Sequence, residues 1–471
     1  MKKKYILLIL LIVIMGIGYI GNQVVDHGPM KANRIHQHLE QKVSPEEETA
    51  SISSEDFASH LPVVMINSVG EKISEEFSNC KIDIIDNQNT MNHTFDEPDV
   101  TTWAKIKWRG NSSKRFDKKQ YRISFIEERN SEKEVDYSVM GMRKESDWVL
   151  NGPYLDKTLM RNYMMYNISG EIMDWSPNVR YCEMFLDGRY MGLFLMVETV
   201  KVSPGRLNLK EVDQKEAQTS YLIERERYGD ANVPINNFGT YTGKTVNEVG
   251  IEYPTKKKLS GNHIKYIKDD LSSIEKALYS LDYDEWDYGY AKYIDVNSFV
   301  DYYIINEFCA NIDAGALSTF AYKDIKGKLT MGPVWDFNNS FDNYKHHPLV
   351  ISDLYINTAP WYAMLMRDEI FVNMVIDRYH ELRKTYLSDE YLLNYVDETR
   401  TYLGKAIDRN FQVWGYTFSL ELLHPMERNP VSFDEAINQL KKVIVERGKF
   451  LDENIVILKQ FCAESAVKEY N

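Results

Sequence analysis

The stretch LTMGPVWDFNNSFD, residues 329–342, constrains this chain more than any other. Leu329, Met331, Val334 and Trp335 read as a buried strand, with Asp336 at its C-terminal end, where backbone geometry aims a carboxylate outward. A hard oxygen ligand at a strand end is a common seat for a metal. A second such place lies upstream, in FVDYYIINEFCANIDAGALSTFAYKD. There an apolar helix runs from about Val296 to Ala310, Asn311, Ile312 and Asp313 share a turn with Ala314 and Gly315, and Ser318 to Lys323 form a short strand. Strands 318–323 and 329–335 flank Asp324, Ile325, Lys326 and Gly327, whose polar residues and glycine suit a hairpin turn. That hairpin folds Asp313 back beside Asp336.

Two carboxylates held close on rigid elements repel, and a divalent cation or a proton compensates. With a magnesium nucleotide bound, one aspartate would hold the metal on the phosphates. The other would accept the proton of an acceptor hydroxyl, the division of labour of phosphoryl transfer. On spacing alone the rival reading stays open, in which both carboxylates cap turns and accept backbone amides.

The 471 residues are 44% hydrophobic and 13% aromatic, enough for one large domain or two modest ones with a substantial core. A formal net charge of -14 argues against a nucleic-acid partner, whose footprint is a basic patch or stripe. The 32 tyrosines and 8 tryptophans read as core before carbohydrate-binding surface. Cys80, Cys182, Cys309 and Cys462 lie far apart with no CxxC pair, so neither a zinc site nor a disulfide framework is indicated.

Met1 to Lys4 and the apolar run Tyr5 to Ile20 have the pattern of an export signal or signal anchor. Extension through Val25 approaches the ~20 residues a bilayer needs, and no small-x-small cleavage site follows. Residues 1–25 are therefore read as an uncleaved anchor touching the membrane through residues 5–25, with the domain outside the cytoplasm and a cleaved signal as the alternative. Residues 26–58 read as a polar, flexible tether and residues 59–465 as the folded domain.

Between the alternating runs Thr102–Trp108 and Gln120–Ile126 lies RGNSSKRFDKK. Its small residues, amides, hydroxyls and cations can wrap an anion. It is not a Walker loop, because the glycine pattern and the following helix are missing. An ordinary basic hairpin loop is the equal alternative. Next come a helix from Lys157 to about Met173, a hairpin Tyr181–Glu198 turning at Asp187-Gly188, a strand Tyr221–Glu226 and a helix over 260–281. Helices over 369–387, 390–410 and 433–461 fill the C-terminal part, so a sheet-rich half precedes a helical one.

NIDAG followed by GPVWDFNNSF resembles the paired signature of the spore coat protein H (CotH) kinase-like family, atypical protein kinases with a reduced, divergent kinase fold. The similarity continues in KIKWRGNSSKRFDKKQYRISF, DWVLNGPYLDKTLMRNYM, RYMGLFLMVETV and YLIERE, and covers about Leu61 to Leu387. The resemblance implies a bilobal, protein-kinase-like α+β domain with a mixed or antiparallel sheet in its N-terminal half and helices in its C-terminal half, here preceded by the N-terminal membrane helix. It implies Asp313 as the catalytic aspartate, Asp336 as a metal ligand with Asn338 beside it, and ATP with Mg²⁺ or Mn²⁺ as cofactors. The basic loop then stands in for the kinase glycine-rich region, with Arg109, Ser112, Lys119 and Arg122 as phosphate-binding candidates. Glu198, where a kinase hinge would hold adenine, is a candidate for the adenine or ribose edge, against the alternative of pairing with Lys201. The implied activity is transfer of the ATP γ-phosphoryl to serine hydroxyls of a spore coat or surface protein.

Two departures stand against it. Ser318 occupies the position, five after Asp313, where a kinase carries a metal-binding asparagine. Asn338 stands where many family members carry a second aspartate. Both lower the anionic ligand count and the expected metal affinity. One alternative is a catalytically weak or inactive kinase-fold scaffold or adhesion protein of the spore coat or cell envelope. Another is a sugar-processing pair of carboxylates.

Overall fold

The computed structural model describes residues 34–40, 48–245, 247–285 and 287–463. Seven strands, β1 (Val63–Asn67), β2 (Ser78–Ile85), β3 (Val100–Trp108), β4 (Tyr121–Ile126), β5 (Asp147–Asn151), β6 (Val179–Leu186) and β7 (Arg189–Glu198), close into a barrel in the order β1-β2-β3-β4-β5-β7-β6. Closure comes from one parallel pair, in which Val63 of β1 lies opposite Glu183 of β6 and Ile66 opposite Leu186. The barrel is filled by every second residue: Val64 and Ile66, Ile82 and Ile84, Ala104 and Ile106, Ile123 and Phe125, Trp148 and Leu150, Cys182 and Met184, Phe194 and Met196. That is the period the pleat imposes.

On β5, β6 and β7 the outward residues are apolar as well. Val149, Tyr181, Leu193, Leu195 and Val197 share a core with helix α1 (Arg161–Ile172). Every residue of α1 except Glu171 is buried, so its polar members need partners inside the protein.

A second sheet joins β8 (Tyr221–Glu226), β9 (Pro234–Ile235), β10 (Glu248–Tyr253), β11 (Thr319–Lys323) and β12 (Thr330–Met331) in the order β12-β11-β8-β10-β9. The longer helices beyond α1 are α2 (Gly261–Leu278), α3 (Val296–Phe308), α4 (Glu369–Leu382), α5 (Asp389–Leu403), α6 (Lys405–Trp414) and α7 (Phe433–Asn454). The single helix expected over 390–410 is two, because Gly404 takes a positive φ of 46° and ends α5.

The expected bilobal arrangement is corrected by this topology. The first sheet closes on itself, and the second takes the hairpin expected over 318–335, as β11 and β12, and adds it to β8, pairing Thr319 with Arg225 and Phe320 with Glu224. Strand alternation is the same in an open sheet and a closed one, and the pairing that closes this barrel spans more than a hundred residues of sequence. The N-terminal membrane helix expected at residues 1–25 lies outside the described residues. Among those described, no helix is long and apolar enough to cross a membrane.

Residues 34–40 and 48–58, in the span read as a tether, pack on the domain. Arg34 donates to the carbonyls of Pro177 at 2.8 Å and Ser176 at 2.5 Å, and Phe57 is fully buried. Arg409 of α6 ties this segment to the barrel. Its fully buried guanidinium donates from Nε to Glu183 Oε1 at 2.8 Å and from NH2 to Glu183 Oε2 at 2.6 Å, with Glu48 Oε1 3.4 Å away. The paired geometry is the strong form of this interaction. Arg409→Met strands two buried carboxylates without their cation and should cost about 3–5 kcal/mol. Urea unfolding followed by circular dichroism reads this as a lower midpoint, and an unchanged midpoint contradicts it.

Candidate functional site

Helix α3 delivers the first carboxylate. Past its end, Asn311 is buried and donates from Nδ2 to Asn306 Oδ1 at 3.1 Å and to the Asp336 carbonyl at 3.2 Å. Asp313 follows in a turn whose carbonyl accepts the amide of Leu317 at 2.7 Å. Gly315 makes that turn possible: its φ is +81°, and a Cβ there would lie 2.7 Å from the Cβ of Ala359. Asn339 holds the carboxylate, donating from Nδ2 to Asp313 Oδ2 at 2.7 Å.

The second carboxylate sits differently from its expected place at a strand end. β12 stops at Met331, because Pro333 has no amide hydrogen to continue the ladder. Asp336 therefore lies in an irregular loop, with φ of 56°, a conformation short polar side chains tolerate. What fixes this loop is α1. Tyr166 Oη accepts the Asp336 amide at 3.2 Å, and Asn162 Oδ1 accepts the Phe337 amide at 2.8 Å. Arg161 donates from Nε to the Ser340 carbonyl and from NH2 to the Phe341 carbonyl, both at 3.0 Å, while its NH1 pairs with Asp156 at 2.5 Å. Sequence reasoning missed this function of α1. The signal was present as arginine, asparagine and tyrosine on a helix otherwise apolar enough to be core.

Three amides run in relay from that grip to the carboxylate. Because Asn162 Oδ1 takes the Phe337 amide, its Nδ2 faces Asn338 Oδ1 at 3.0 Å, and Asn338 Nδ2 in turn donates to Asp336 Oδ1 at 2.6 Å. Asn338, expected as a metal ligand, thus has its oxygen committed to Asn162 and supports Asp336 through its nitrogen.

Burial pushes the Asp313 carboxyl above the ordinary aspartate range. The Asn339 hydrogen bond opposes the shift, the charge of Asp336 adds to it, and Arg227 opposes it. The two carboxylates are thus within electrostatic reach of each other. Beside them, Asn311 Oδ1 is buried without a hydrogen-bond partner. Two carboxylates and a spare amide oxygen make a hard donor set suited to Mg²⁺ or Mn²⁺. Among the described residues no group of three His, Cys, Asp or Glu gathers at metal spacing. A cation here would draw its remaining oxygens from amides, water or its ligand.

A cleft of about 520 Å³ opens between the barrel, through Arg109, Arg122, Val149 and Lys201, and the second sheet, through Leu222, Glu224, Glu252 and Phe320, with Trp335 also in its wall. The Arg109 guanidinium lies over the Trp335 ring, 5.3 Å from its centroid. Burial lowers the pKa of Arg109 and Asp336 raises it, so this cation marks the end of the cleft nearest the carboxylates. Arg122 and Lys201 share Asp147, at 3.6 and 2.7 Å. Burial, then Glu252 and Glu226, push Glu224 up to about 8 against the pull of Arg109, and burial pushes Glu252 up to about 7 against Arg122. Near neutral pH burial thus favours the protonated form of Glu224 and leaves Glu252 about half protonated, so the cleft carries less negative charge than its two acids would suggest.

Of the proposed phosphate ligands, Arg109 and Arg122 line the cleft. Lys119 does not: it donates to the Lys114 carbonyl at 2.7 Å and lies over Trp108 at 4.8 Å, bracing its own loop. Lys118 turns the other way and reaches Asn410 Oδ1 at 2.8 Å. Ser112 opens the 3-10 turn Ser112–Arg115. Glu198 is fully buried away from the cleft lining, accepting from the Asn178 amide and side chain at 2.8 and 2.9 Å. Lys201 bridges Asp147 and Glu145 instead of Glu198.

Two outcomes follow from this geometry. Titration of Asp313 by carbon-13 NMR should give a midpoint above the ~3.9 of a free aspartate. Asp336→Asn should lower it by removing a like charge, and Asn339→Ala should raise it by removing a bond to the ionised form; shifts of opposite sign contradict the assignment. Asn162→Leu leaves the Phe337 amide and the Asn338 oxygen unpartnered and should cost about 1–3 kcal/mol. Hydrogen exchange at Phe337 should then accelerate locally, and unchanged protection there contradicts the relay.

A family model described as CotH kinase protein matches residues 106–451. The inner spore coat protein H of Bacillus subtilis (strain 168) is 21% identical over 361 residues, which cover 75% of this chain and 87% of that protein. The matched span contains both carboxylates, the relay that holds Asp336 and both cleft arginines. The chain belongs to the CotH kinase protein family.

Proposed function

We propose that this protein is a kinase that transfers the γ-phosphoryl of magnesium ATP to serine hydroxyls of a spore coat or surface protein. The observation that carries the reading is that Asp336 lies within electrostatic reach both of Asp313 and of Arg109, a residue of the cleft wall, although neither aspartate lines that cleft itself. The kinase in the family's description and the spore coat in the relative's name supply the reaction class and the setting.

In this reaction Asp336 and Asn311 would hold a cation, which would neutralise charge on the phosphate oxygens. Arg109, kept in place by Trp335, and Arg122 receive the phosphate chain. The acceptor hydroxyl oxygen bonds to the γ-phosphorus as the bond from that phosphorus to the bridging oxygen breaks, and ADP carries away the electron pair. The hydroxyl proton passes to Asp313 Oδ1, since Oδ2 is engaged by Asn339. The raised pKa suits a group that must take a proton.

Two observations favour the weaker reading, a coat scaffold with little catalysis. Asn338 contributes a nitrogen to Asp336 where a second carboxylate would contribute an oxygen to the metal, and Ser318 donates to Glu226 at 3.4 Å. Thermal shift with ATP and Mn²⁺, together with label transfer from γ-labelled ATP to coat proteins, separates the two. The kinase reading expects a metal-dependent ATP shift that disappears in Asp336→Ala, and transfer reduced about 10²–10⁴-fold in Asp313→Asn. A wild-type protein without any metal-dependent ATP shift contradicts it.

A further inference from the structure

Residues 34–40 precede the part of the chain that the family model matches, yet they dock on the same helix that grips the Asp336 loop. Helix α1 has two polar edges. Arg161, Asn162 and Tyr166 hold the loop, while Tyr163, Asn167, Gly170 and Glu171 recur at helical spacing on another face and meet residues 34–40 or Tyr395 beside them. Tyr163 Oη accepts the His38 amide at 3.1 Å, which leaves its own proton for His38 Nδ1 at 2.8 Å. His36 meets Glu171 Oε1 at 3.1 Å and the Tyr395 hydroxyl of α5 at 3.2 Å. Arg34 lies against Gly170 and donates to the Ser176 and Pro177 carbonyls just past the end of α1. Gln37 completes the seat. β1 pairs with β6 over 183–186, and further along that edge the Tyr181 amide and carbonyl bond the Gln37 side chain instead, at 2.7 and 3.2 Å.

The attachment is polar. His38 is the one residue of the seven that is buried, whereas Leu39 is 64% exposed, so the segment holds on through imidazoles and not through an apolar anchor. Imidazoles make such docking sensitive to acid. Burial, and then the neighbouring His36, push His38 down to about 3. Burial also lowers His36 against the pull of Glu171, and Arg34 and Arg180 add to the lowering. Glu398 of α5, 3.7 Å from His38 Nε2, is exposed and offsets little, and Tyr163 and Tyr395 stay neutral. Both rings are therefore docked uncharged, and once released they titrate near ~6.5. Docking is at full strength above that value and weakens as the pH falls through it, by up to about tenfold per pH unit from His38 alone. We propose that residues 34–40 are an acid-released strap that positions Asp336 through α1: docked, they fix the helix on a face separate from its grip on the loop, and protonation of His36 and His38 frees both. The bearing of this strap on phosphoryl transfer rests on the function proposed above.

Two backbone amides report the two halves separately and without nucleotide. Tyr181, which donates to Gln37, reads the strap, and Phe337, which donates to Asn162, reads the loop. Hydrogen exchange corrected for intrinsic rates should show both losing protection about tenfold or more between about pH 7 and pH 5, while Ile123, on β4 between β3 and β5, keeps its own. His38→Asn sets an amide oxygen to accept from Tyr163 and takes up no proton in this range, so its pH response should shrink. Gly170→Ala should release the strap at neutral pH, because the added Cβ would lie 2.1 Å from Arg34 NH2. Alanine favours the helix itself, so lost protection at Phe337 in that variant is transmitted from the strap. Arg34→Ala gives the same reading if Gly170→Ala does not fold. Phe337 protection unchanged while Tyr181 exchanges freely, a wild-type strap indifferent to pH, or a full pH response retained in His38→Asn would each overturn the proposal. A wild-type protein that transfers no phosphate would end the kinase reading and leave both reporters as they stand.

Discussion

The loop that carries Asp336 has no ladder of its own and depends on one buried helix edge. Arg161, Asn162 and Tyr166 present a guanidinium, an amide and a hydroxyl to a backbone that would otherwise be irregular and unsatisfied. Buried polar groups of this kind are stable only when fully paired. Here the pairing extends outward from helix to loop and then through Asn338 to the carboxylate itself. The same helix packs its apolar residues on the outside of the barrel, so the position of Asp336 is referred to the barrel wall.

The cleft has a complementary logic. Its two central acids, Glu224 and Glu252, are pushed toward neutrality by burial, while its arginines remain cations. An acidic chain of net charge -14 thereby keeps a local site suited to an anion. The amide-rich character of the site, with Asn311, Asn338 and Asn339 around two aspartates, also sets its limits. Amides orient carboxylates without adding negative charge, so such a site gains geometry at the expense of metal affinity.

The elements themselves were legible in the sequence. Period-two alternation located β3 and β4, the Asp187-Gly188 turn located the hairpin of β6 and β7, and the turn between Ser318–Lys323 and the following strand was visible in Asp324 to Gly327. What could not be read was long-range. Closure through β1 and β6 and the addition of β11 to β8 depend on which edges meet, and alternation does not encode that. The basic loop shows the same limit at the level of side chains. Arg109 and Arg122 reach the cleft, whereas Lys118 and Lys119, equally cationic in sequence, are turned to Asn410 and to a loop carbonyl. Glu198, which the sequence leaves open between a cleft edge and a pair with Lys201, is instead bonded to Asn178, a partner 20 residues away that a strand end does not reveal.

The proposed phosphoryl transfer depends on Asp336 meeting a nucleotide-bound cation. Electron–nuclear double resonance on the protein with Mn²⁺ and ATP measures this directly. A manganese signal coupled to phosphorus that is lost in Asp336→Ala is the predicted result; the same coupled signal retained in that variant would place the cation elsewhere and contradict the account.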